Sequence, residues 1–359
     1  MSRRDSADRE ETPLDLRDWS EGDNVHFHKD ILTIDPEAEV ERIVAHLRAS
    51  VLNTLRRRGA VVGVSGGVDS SVTLALCVRA FGPERVAALM LQEKESSPEN
   101  VAPARELCRR LGVTPIAEDI TGALEGFGCY RMRDEAVRRI FSEYDSTFKL
   151  KLTLPGDLLD RDSLNLFSLT ILSPEGSERT MRLPPAEYRD IVAAVNLKQR
   201  TRMSMLYYHG ERLNYGVIGT ASKNERDQGF FVKYGDGGVD VDVVVHLYKT
   251  QIYQLAAHLE VPETIRRRPP TSDTYSAPST QEEFFFRLPF ETMDPLWYAE
   301  EHSAPAEEAA RAMGLTPRQV ERAYREFGRK RRATAYLRSP ILKLQEREAE
   351  VHPRPPASI

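Results

Sequence analysis

The sequence has little cysteine: three residues in 359, at positions 77, 108 and 129, and no Cys-x-x-Cys pair. Cys77 and Cys108 fall in apolar stretches with helical spacing, so we expect reduced core cysteines in a cytoplasmic protein, without disulfides or a metal cluster. The sequence also lacks any run of 18 apolar residues, so no membrane span is expected. The polar first 23 residues lack the apolar core of a secretory signal.

An excess of one charge sign is absent as well. The chain has 50 Lys and Arg residues against 55 Asp and Glu residues, which gives a formal net charge of -5. This weakly acidic balance argues against general nucleic-acid binding. With 40% hydrophobic residues in 359, the chain is long enough for a complete α/β core with additions.

We divide the chain into an arm (1–34), a catalytic domain (35–335) and a tail (336–359) that is Pro-rich from His352. The domain begins with the helix signal Asp35-Pro36, an N-cap followed by proline. Short β-branched runs then alternate with apolar residues at helical spacing. The expected strands are 60–64, 86–91, 114–120 and 215–219, and the expected helices are 68–80, 98–111 and 247–259. This alternation predicts an α/β fold, a doubly wound parallel sheet with helices on its faces.

Residues 145–185 break this alternation. Residues 148–154 and parts of 166–171 and 180–183 alternate with period two, and Ser-Pro-Glu-Gly at 173–176 is typical of a turn. We interpret this segment as an inserted antiparallel hairpin, more plausibly a surface element than one that shapes a substrate site. A helix is expected after Pro185 up to about Tyr208, and 262–295 is expected to be an irregular, functional loop. A helix at 316–327 should lead into the basic run 329–332.

The sharpest motif is Gly-Val-Ser-Gly-Gly-Val-Asp-Ser-Ser at 63–71, between a predicted strand and a predicted helix. Glycines let the backbone turn tightly and expose its amides, which together with a helix N-terminus bind phosphate. Ser65, Ser70 and Ser71 offer hydroxyl donors, and Asp69 fits a site that holds Mg²⁺ against phosphates. An ordinary tight turn is the alternative, but it does not require the serines and the aspartate. The motif lacks the Gly-Lys-Ser/Thr of a Walker A loop and the GxGxxG of a dinucleotide fold.

This loop resembles that of the ATP pyrophosphatase superfamily, whose members cleave ATP between the α and β phosphates and adenylate a carboxylate or carbonyl. Further motifs narrow the resemblance. Residues 196–203 read Asn-Leu-Lys-Gln-Arg-Thr-Arg-Met, and 219–225 read Gly-Thr-Ala-Ser-Lys-Asn-Glu. Residues 229–240 read Gly-Phe-Phe-Val-Lys-Tyr-Gly-Asp-Gly-Gly-Val-Asp, and 247–251 read Leu-Tyr-Lys-Thr-Gln. In order and spacing these motifs are similar to those of NAD synthetases over roughly 36–120 and 190–332.

The resemblance implies an ATP-dependent, AMP-forming amide ligase that converts the nicotinate carboxylate of deamido-NAD to an amide. It implies Mg²⁺ ligands at Asp69 and Glu225, and catalytic roles for Asp69, Lys233 and Lys249. The ATP contacts it implies are Gly63, Ser65, Gly66, Gly67, Val68, Asp69, Ser70, Thr220, Lys249 and Thr271. The deamido-NAD contacts it implies are Arg200, Lys233, Asp240, Arg329 and Lys330. Without the resemblance, Lys249 and the basic run 329–332 would be interpreted as solvated helix positions.

Three departures from the family pattern bear on the acid-binding half of the site. They are the insertion at 145–185, Val232 where the family commonly has threonine, and 242–246, which ends in His246 and replaces a Pro-containing stretch. His246 is expected to be a satisfied loop histidine and not a proton carrier. A relative that amidates a different carboxylate therefore stays open as the alternative. A tRNA-modifying enzyme would need paired cysteines and a basic face, and a non-catalytic binding protein would not need Asp69, Glu225, Lys233 and Lys249 together.

Glutamine-using relatives carry an N-terminal amidase domain with a cysteine nucleophile. The 35 residues that precede the first predicted helix contain no cysteine. The expected nitrogen donor is therefore free ammonia, or ammonia from a separate glutaminase. Family resemblance also implies a homodimer.

Overall fold

The computed structural model describes residues 27–156, 158–160, 165–272 and 274–342. Most of the predicted arm and tail lies outside this part of the chain, including the Pro-rich end. The α-helices of the described residues are α1 (Pro36–Arg48), α2 (Val68–Phe81), α3 (Val101–Arg110), α4 (Thr121–Gly126), α5 (Cys129–Arg138), α6 (Pro185–Leu213), α7 (Lys223–Gln228), α8 (Lys249–His258), α9 (Glu263–Arg266), α10 (Phe290–Glu301), α11 (Ala306–Met313), α12 (Pro317–Ala333) and α13 (Ala335–Arg338). The strands are β1 (Ala60–Gly63), β2 (Val86–Gln92), β3 (Ile116–Asp119), β4 (Lys149–Thr153), β5 (Ser168–Leu172), β6 (Glu178–Arg182), β7 (Gly216–Gly219) and β8 (Val241–Asp242).

Five strands form a parallel sheet in the order β3-β2-β1-β7-β8. In the register of the central strand β1, Ala60 lies opposite Val86 of β2 on one side and Gly216 of β7 on the other. The prediction of a doubly wound parallel α/β sheet is confirmed. Strand β8 comes from a stretch that the sequence did not mark as a strand, and it pairs with only two residues of β7.

Both faces of the sheet are buried at its centre, which explains why β1, β2 and β7 have continuous apolar runs and no alternation. The edge strand β3 is partly exposed. Val62 of β1 packs into a cluster with α1, α2, α3 and α8 on one face. Val61, its neighbour, packs on the other face against Leu206 and Leu213 of α6. The three cysteines are buried and free, as expected of core residues.

The sheet reverses its strand order between β1 and β7. The chain runs outward from β1 through β2 to β3 and later returns to add β7 and β8 on the opposite side. Loops that leave the carboxyl ends of β1 and β7 therefore turn toward opposite faces and leave a crevice between them, the usual ligand position in open α/β sheets. The glycine-rich loop follows β1, and Thr220 follows β7.

The segment predicted as an inserted hairpin forms a separate antiparallel sheet in the order β4-β5-β6. Leu152 of β4 pairs with Leu169 of β5, and Thr170 pairs with Thr180 of β6. The buried leucines and isoleucine of β4 and β5 pack on α5 and α6, whereas β6 is exposed along its whole length. The antiparallel prediction is confirmed, with three strands where the sequence suggested a hairpin.

Several predicted boundaries were wrong. Residues 262–295, expected to be irregular, contain α9, a π-helical turn (Glu282–Phe286) and the start of α10. Their prolines hid these elements, because proline is well tolerated at helix starts. Helix α6 continues to Leu213, and α12 continues through the basic run to Ala333. None of the helices in the described part of the chain has the length and apolarity that a bilayer crossing requires.

Helices α10, α11 and α12 form a smaller apolar cluster of their own. Residues at the end of the predicted arm join this cluster: Phe27 and Leu32 are buried in it, and the Phe27 amide donates to Glu308 Oε1 at 2.8 Å. This part of the arm is therefore docked onto the C-terminal helices.

Candidate functional site

The glycine-rich loop connects β1 to α2 in a shape that its glycines permit. Gly66 has φ +82, and a Cβ built there would lie 2.6 Å from the Asn100 carbonyl oxygen. A side chain at this position would therefore meet both backbone strain and a clash. Gly67 is the N-cap of α2, so the loop delivers its amides to the positive end of a 14-residue helix. The predicted strand–loop–helix arrangement is confirmed.

The serines of the loop make hydrogen bonds within the loop itself, which the sequence did not predict. Ser65 Oγ accepts from the Gly67 amide at 3.3 Å, and Ser70 Oγ donates to the Gly67 carbonyl at 3.1 Å. Ser71 also donates to that carbonyl, at 2.7 Å, and its side chain is buried. Ser71 therefore shapes the loop from behind and does not offer its hydroxyl to a phosphate.

Asp69 and Lys249 meet at the start of α2, although 180 residues separate them in sequence. Lys249 Nζ lies 2.5 Å from Asp69 Oδ2, with the lysine side chain 1% exposed and the aspartate side chain 15% exposed. Burial opposes the charge on Lys249, but the nearby carboxylates of Asp69 and Glu225 hold its pKa above the ordinary value. Within the described residues, Asp69 Oδ1 is buried without a hydrogen-bond partner. One oxygen of this carboxylate thus stays available beside the phosphate loop.

Glu225 is held by the cap of its own helix. Its Oε2 accepts from the Ser222 amide at 2.8 Å and from the Ser222 hydroxyl at 3.1 Å, a capping box at the start of α7. Gln281 Nε2 lies 3.3 Å from the other oxygen. Burial raises the pKa of the Glu225 carboxyl, while Lys249 opposes this shift and Asp69 adds to it.

A buried pair that the sequence did not reveal supports this centre. Asp294 of α10, fully buried, accepts from Asn224 Nδ2 at 2.6 Å and from the Thr250 amide at 2.8 Å. Asn224 Oδ1 in turn accepts from the Lys249 amide at 2.8 Å. Asp294 and Asn224 thereby fix the start of α8 relative to α7, and with it the relative positions of Lys249 and Glu225. Burial raises the pKa of Asp294 to about 7.

These groups open into a cavity of about 710 Å³ in the crevice between β1 and β7. Twelve of the predicted site residues line it: Gly63, Ser65, Gly66, Gly67, Val68, Asp69, Ser70, Arg200, Thr220, Glu225, Lys233 and Thr271. The structure thus brings the predicted ATP, metal and acid-substrate residues to one cavity. Lys249 lies behind Asp69 and outside the lining. The individual roles of these residues stay predictions.

Lys233 is occupied by the C-terminal segment. Its ammonium donates to the Tyr336 carbonyl at 3.1 Å and to the Ser339 carbonyl at 2.8 Å, and it lies 4.6 Å from the centre of the Tyr336 ring. Arg200 Nε reaches the Lys233 carbonyl at 3.4 Å. Lys233 and Arg200, both predicted to contact deamido-NAD, therefore lie together where α13 borders the cavity.

Three further residues that were predicted to contact deamido-NAD do not line the cavity. Asp240 accepts from the Tyr207 hydroxyl at 3.1 Å and from the Val217 amide at 2.9 Å. Arg329 is exposed on α12. Lys330 is buried and donates to the Phe285 carbonyl at 2.5 Å, and burial lowers its pKa to about 8. In this arrangement Lys330 ties α12 to the 282–286 turn, and a substrate contact for it stays a prediction.

A second buried charge cluster lies beside the carboxyl end of β2. Lys198 Nζ lies 3.0 Å from Glu93 Oε1, 2.7 Å from Glu95 Oε2 and 3.2 Å from the Thr274 carbonyl, with its side chain 1% exposed. Arg133 adds a contact of 2.6 Å to Glu95. Burial opposes ionisation of Glu95, but its two cationic neighbours lower its pKa to about 2. This cluster ties α6 to the loop that carries Thr271. Lys198 lies in the 196–203 motif, but the motif did not indicate its contacts with Glu93 and Glu95.

The family model described as NAD synthase matches residues 39–143 and 176–333. An NH(3)-dependent NAD(+) synthetase from Mesorhizobium japonicum is 48% identical over 316 residues, which cover 88% of this chain and 99% of the relative. The chain belongs to the NAD synthase family. The resemblance predicted from the sequence motifs is confirmed.

More distant relatives of this NAD synthase-family chain are also similar to it in sequence or in fold. An NH(3)-dependent NAD(+) synthetase from Thermotoga maritima is 38% identical over 237 residues, or 66% of this chain and 78% of the relative. Among solved structures, an NH3-dependent NAD synthetase from Campylobacter jejuni covers 87% of this chain and all of its own at 22% identity, with a TM-score of 0.56. An NMN synthetase from Francisella tularensis has a TM-score of 0.55 at 22% identity and 88% coverage of this chain. These last two similarities show the fold.

The NAD synthase model leaves residues 144–175 unmatched. This segment holds β4 and β5, and two of its side chains, Leu152 and Phe167, line the cavity. The interpretation of the insertion as a surface hairpin was therefore wrong for its inner strands. Period-two alternation shows that one strand face is buried, but it does not show what lies against that face.

The other two departures from the family pattern, at Val232 and at 242–246, are accommodated by ordinary hydrogen bonds. Val232 lines the cavity, and its amide donates to Asp236 Oδ1 at 2.8 Å. His246 Nε2 lies 2.6 Å from Glu39 Oε1 on α1, outside the cavity lining. His246 is therefore a satisfied loop histidine, as expected.

Proposed function

We propose that this chain is an ammonia-dependent NAD synthetase. It would use ATP to adenylate the nicotinate carboxylate of deamido-NAD and would then transfer ammonia to give NAD, AMP and pyrophosphate. The observation that carries this proposal is the Asp69–Lys249 pair beside Glu225, set directly against a glycine-rich loop at a helix N-terminus. Relatives named NH(3)-dependent NAD(+) synthetase at 45–48% identity support the choice of substrates.

The reaction divides into two displacements. A carboxylate oxygen attacks the α-phosphorus of ATP, and the bond to the β-phosphate oxygen breaks to release pyrophosphate. Ammonia then attacks the carbonyl carbon of the acyl-adenylate and loses a proton, and the carbon–oxygen bond breaks to release AMP. Neither step requires a protein nucleophile. The chain is left to position the two nucleotides and to stabilise the charge that accumulates on the phosphates.

The residues at the loop fit a site for a magnesium ion that is coordinated by the protein and by nucleotide phosphates. Among the described residues, Asp69 Oδ1 is buried without a hydrogen-bond partner, and Glu225 presents a second carboxylate whose Oε1 lies 3.3 Å from Gln281 Nε2. Two carboxylates together with phosphate oxygens and water are the ligands that Mg²⁺ prefers. We propose that Asp69 and Glu225 hold this ion, which would offset phosphate charge when bound. Gln281 would then keep Glu225 oriented.

On the acid side, Lys233 and Arg200, two of the cationic residues that line the cavity, would contact the second nucleotide. Lys233 donates to two backbone carbonyls of the 336–339 segment, so a phosphate or carboxylate of the substrate would replace neutral acceptors with a charged one. Charge-assisted hydrogen bonds are the stronger ones, so this exchange favours substrate binding. Asp240, Arg329 and Lys330 stay predicted contacts that need a different arrangement or a neighbouring subunit.

We also propose that the enzyme is a cytoplasmic homodimer and that its ammonia is free or supplied by a separate glutaminase. Family resemblance supports the dimer, and the relatives named NH(3)-dependent NAD(+) synthetase support ammonia. The dimer is tested by light scattering of the purified protein during size-exclusion chromatography. The nitrogen donor is tested by comparing ammonium with glutamine as the source of the amide.

The assay for the proposed function mixes purified protein, Mg-ATP, ammonium and deamido-NAD and follows AMP and NAD. We expect equal amounts of AMP and NAD, and neither product when deamido-NAD is omitted. Hydrolysis of ATP to ADP, or AMP formation that is independent of any acid, would contradict the proposal.

A second candidate function is amidation of a different carboxylate. The observation that favours it is that Leu152 and Phe167, from the segment that the NAD synthase model leaves unmatched, line the cavity. The discriminating experiment runs the same assay with nicotinate mononucleotide in place of deamido-NAD. A higher kcat/KM for the smaller acid would favour the second candidate.

A further inference from the structure

Residues 144–175 lie outside the family match, yet their inner strands are part of the active-site wall. Leu152 of β4 is fully buried and Phe167, just before β5, is half-buried, and both line the cavity that holds the phosphate loop. Side chains from a segment that the NAD synthase model leaves unmatched therefore border the space in which the two nucleotides would lie.

The segment is bonded to the loop that completes the site. The Leu150 carbonyl accepts from the Ala277 amide at 2.9 Å, and the Leu150 amide donates to Ser276 Oγ at 3.0 Å. Four residues further on, just after the end of β4, the Leu154 amide donates to the Glu283 carbonyl at 2.9 Å. Because these bonds run on both sides of Gln281, which contacts Glu225, the inserted sheet is fixed relative to the catalytic centre.

Three aromatic rings form the part of the cavity that we call the aromatic wall: Phe167, Tyr188 and Phe284. The Phe167 ring stacks on Tyr188 with centroids 5.0 Å apart and an interplanar angle of 17°, and it meets Phe284 at 5.9 Å and 50°. All three residues line the cavity. Phe167 is the member that comes from the unmatched segment.

We propose that Phe167 is a specificity-determining residue that contacts a planar ring of one of the two nucleotide substrates. The proposal rests on the proposed function, in which both ATP and the acid substrate carry such a ring. Aromatic side chains favour offset or edge contacts with planar rings, and the stacked pair holds Phe167 in place before the ligand arrives. The ring is adenine if the ligand is ATP and adenine or pyridine if the ligand is deamido-NAD.

The test measures the Kd of a non-hydrolysable ATP analogue and the Kd of deamido-NAD, each by calorimetry, for the wild type and three variants. Phe167→Ala removes the ring from the wall, and Phe167→Leu is a milder change in case the alanine variant does not fold. Phe148→Ala is the matched control: Phe148 lies in the same segment, is also half-buried and packs on Tyr144 at 5.9 Å, but does not line the cavity. Circular dichroism verifies that each variant is folded.

We expect Phe167→Ala to raise the Kd of one ligand about tenfold and to leave the other within twofold. Phe167→Leu should have a smaller effect on the same ligand, and Phe148→Ala should change neither Kd. The ligand that responds identifies which of the two substrates contacts Phe167. Equal weakening of both ligands, no weakening, or the same result with Phe148→Ala would overturn the proposal. If the wild type does not bind deamido-NAD, the proposed function fails, whereas the ATP arm still tests the role of Phe167.

Discussion

Replacing Asp69 with asparagine changes one charge at the centre of the site and almost no volume. In the wild type, Oδ2 of Asp69 pairs with Lys249 Nζ at 2.5 Å, and Oδ1 has no hydrogen-bond partner among the described residues. In Asp69→Asn, the amide oxygen faces the lysine and the amide nitrogen takes the place of Oδ1. That nitrogen is a donor and cannot coordinate a cation.

The structure sets the size of the effect. Breaking a fully desolvated ion pair costs about 3–5 kcal/mol of stability, but the substitution leaves a neutral hydrogen bond in place. Asp69 is partly exposed, and Glu225 still faces Lys249. We therefore expect a loss of about 1–2 kcal/mol in the free energy of unfolding. Losing one preorganised contact to the reacting charge slows catalysis about 10²–10³-fold, so AMP release should fall by at least about 100-fold.

The assay follows AMP release from Mg-ATP in the presence of deamido-NAD and ammonium. Asp119→Asn is the matched control, because Asp119 is an exposed carboxylate at the end of β3 that accepts from the Thr121 amide at 2.8 Å. The control should keep wild-type activity. A folded Asp69→Asn enzyme with turnover close to that of the wild type would refute the reasoning that Asp69 holds a cation at the phosphates.

Three further outcomes follow from the geometry. Gly66→Ala should cost about 2 kcal/mol of stability and weaken ATP binding, because residue 66 has φ +82 and the new Cβ would meet the Asn100 carbonyl. Thermal unfolding with and without Mg-ATP measures both effects, and an unchanged Tm would contradict this prediction. Glu95 has its pKa lowered from 4.5 to about 2, so it should contribute about 3 kcal/mol above pH 4.5 and lose this contribution as pH falls toward 2. The stability gap between wild type and Glu95→Gln should shrink from pH 6 to pH 3 in urea unfolding, and a constant gap would contradict it. Asp294→Asn places a donor against the Asn224 amide or the Thr250 amide and should lower kcat about tenfold with a smaller change in the KM for ATP, whereas loss of stability alone would argue against a positioning role.

The parts of the site that the sequence predicted are those whose signal is local. The glycine-rich loop could be located because a buried strand, two glycines and a helix start follow one another within about ten residues. The order of the strands was not determined in the same way, but the alternation of strands and helices limited it to parallel arrangements. The family motifs then supplied Thr220, Glu225 and Thr271, and all three line the cavity.

Contacts between distant segments could not be predicted from the sequence. Nothing near Asp294 indicates that its carboxylate holds Asn224, 70 residues away, or that Lys198 joins Glu93 and Glu95, more than 100 residues away. Such buried pairs depend on tertiary packing, which local periodicity does not encode. The role of the inserted sheet was missed for a related reason, since the alternation in β4 shows a buried face without naming its neighbour.

The most direct test of adenylation uses deamido-NAD whose nicotinate carboxylate carries ¹⁸O in both oxygens. If a carboxylate oxygen attacks the α-phosphorus at the loop beside Asp69, mass spectrometry of a completed reaction will find one ¹⁸O in AMP, one in the amide of NAD and none in pyrophosphate. Unlabelled AMP, or label in a released phosphate, would contradict the account.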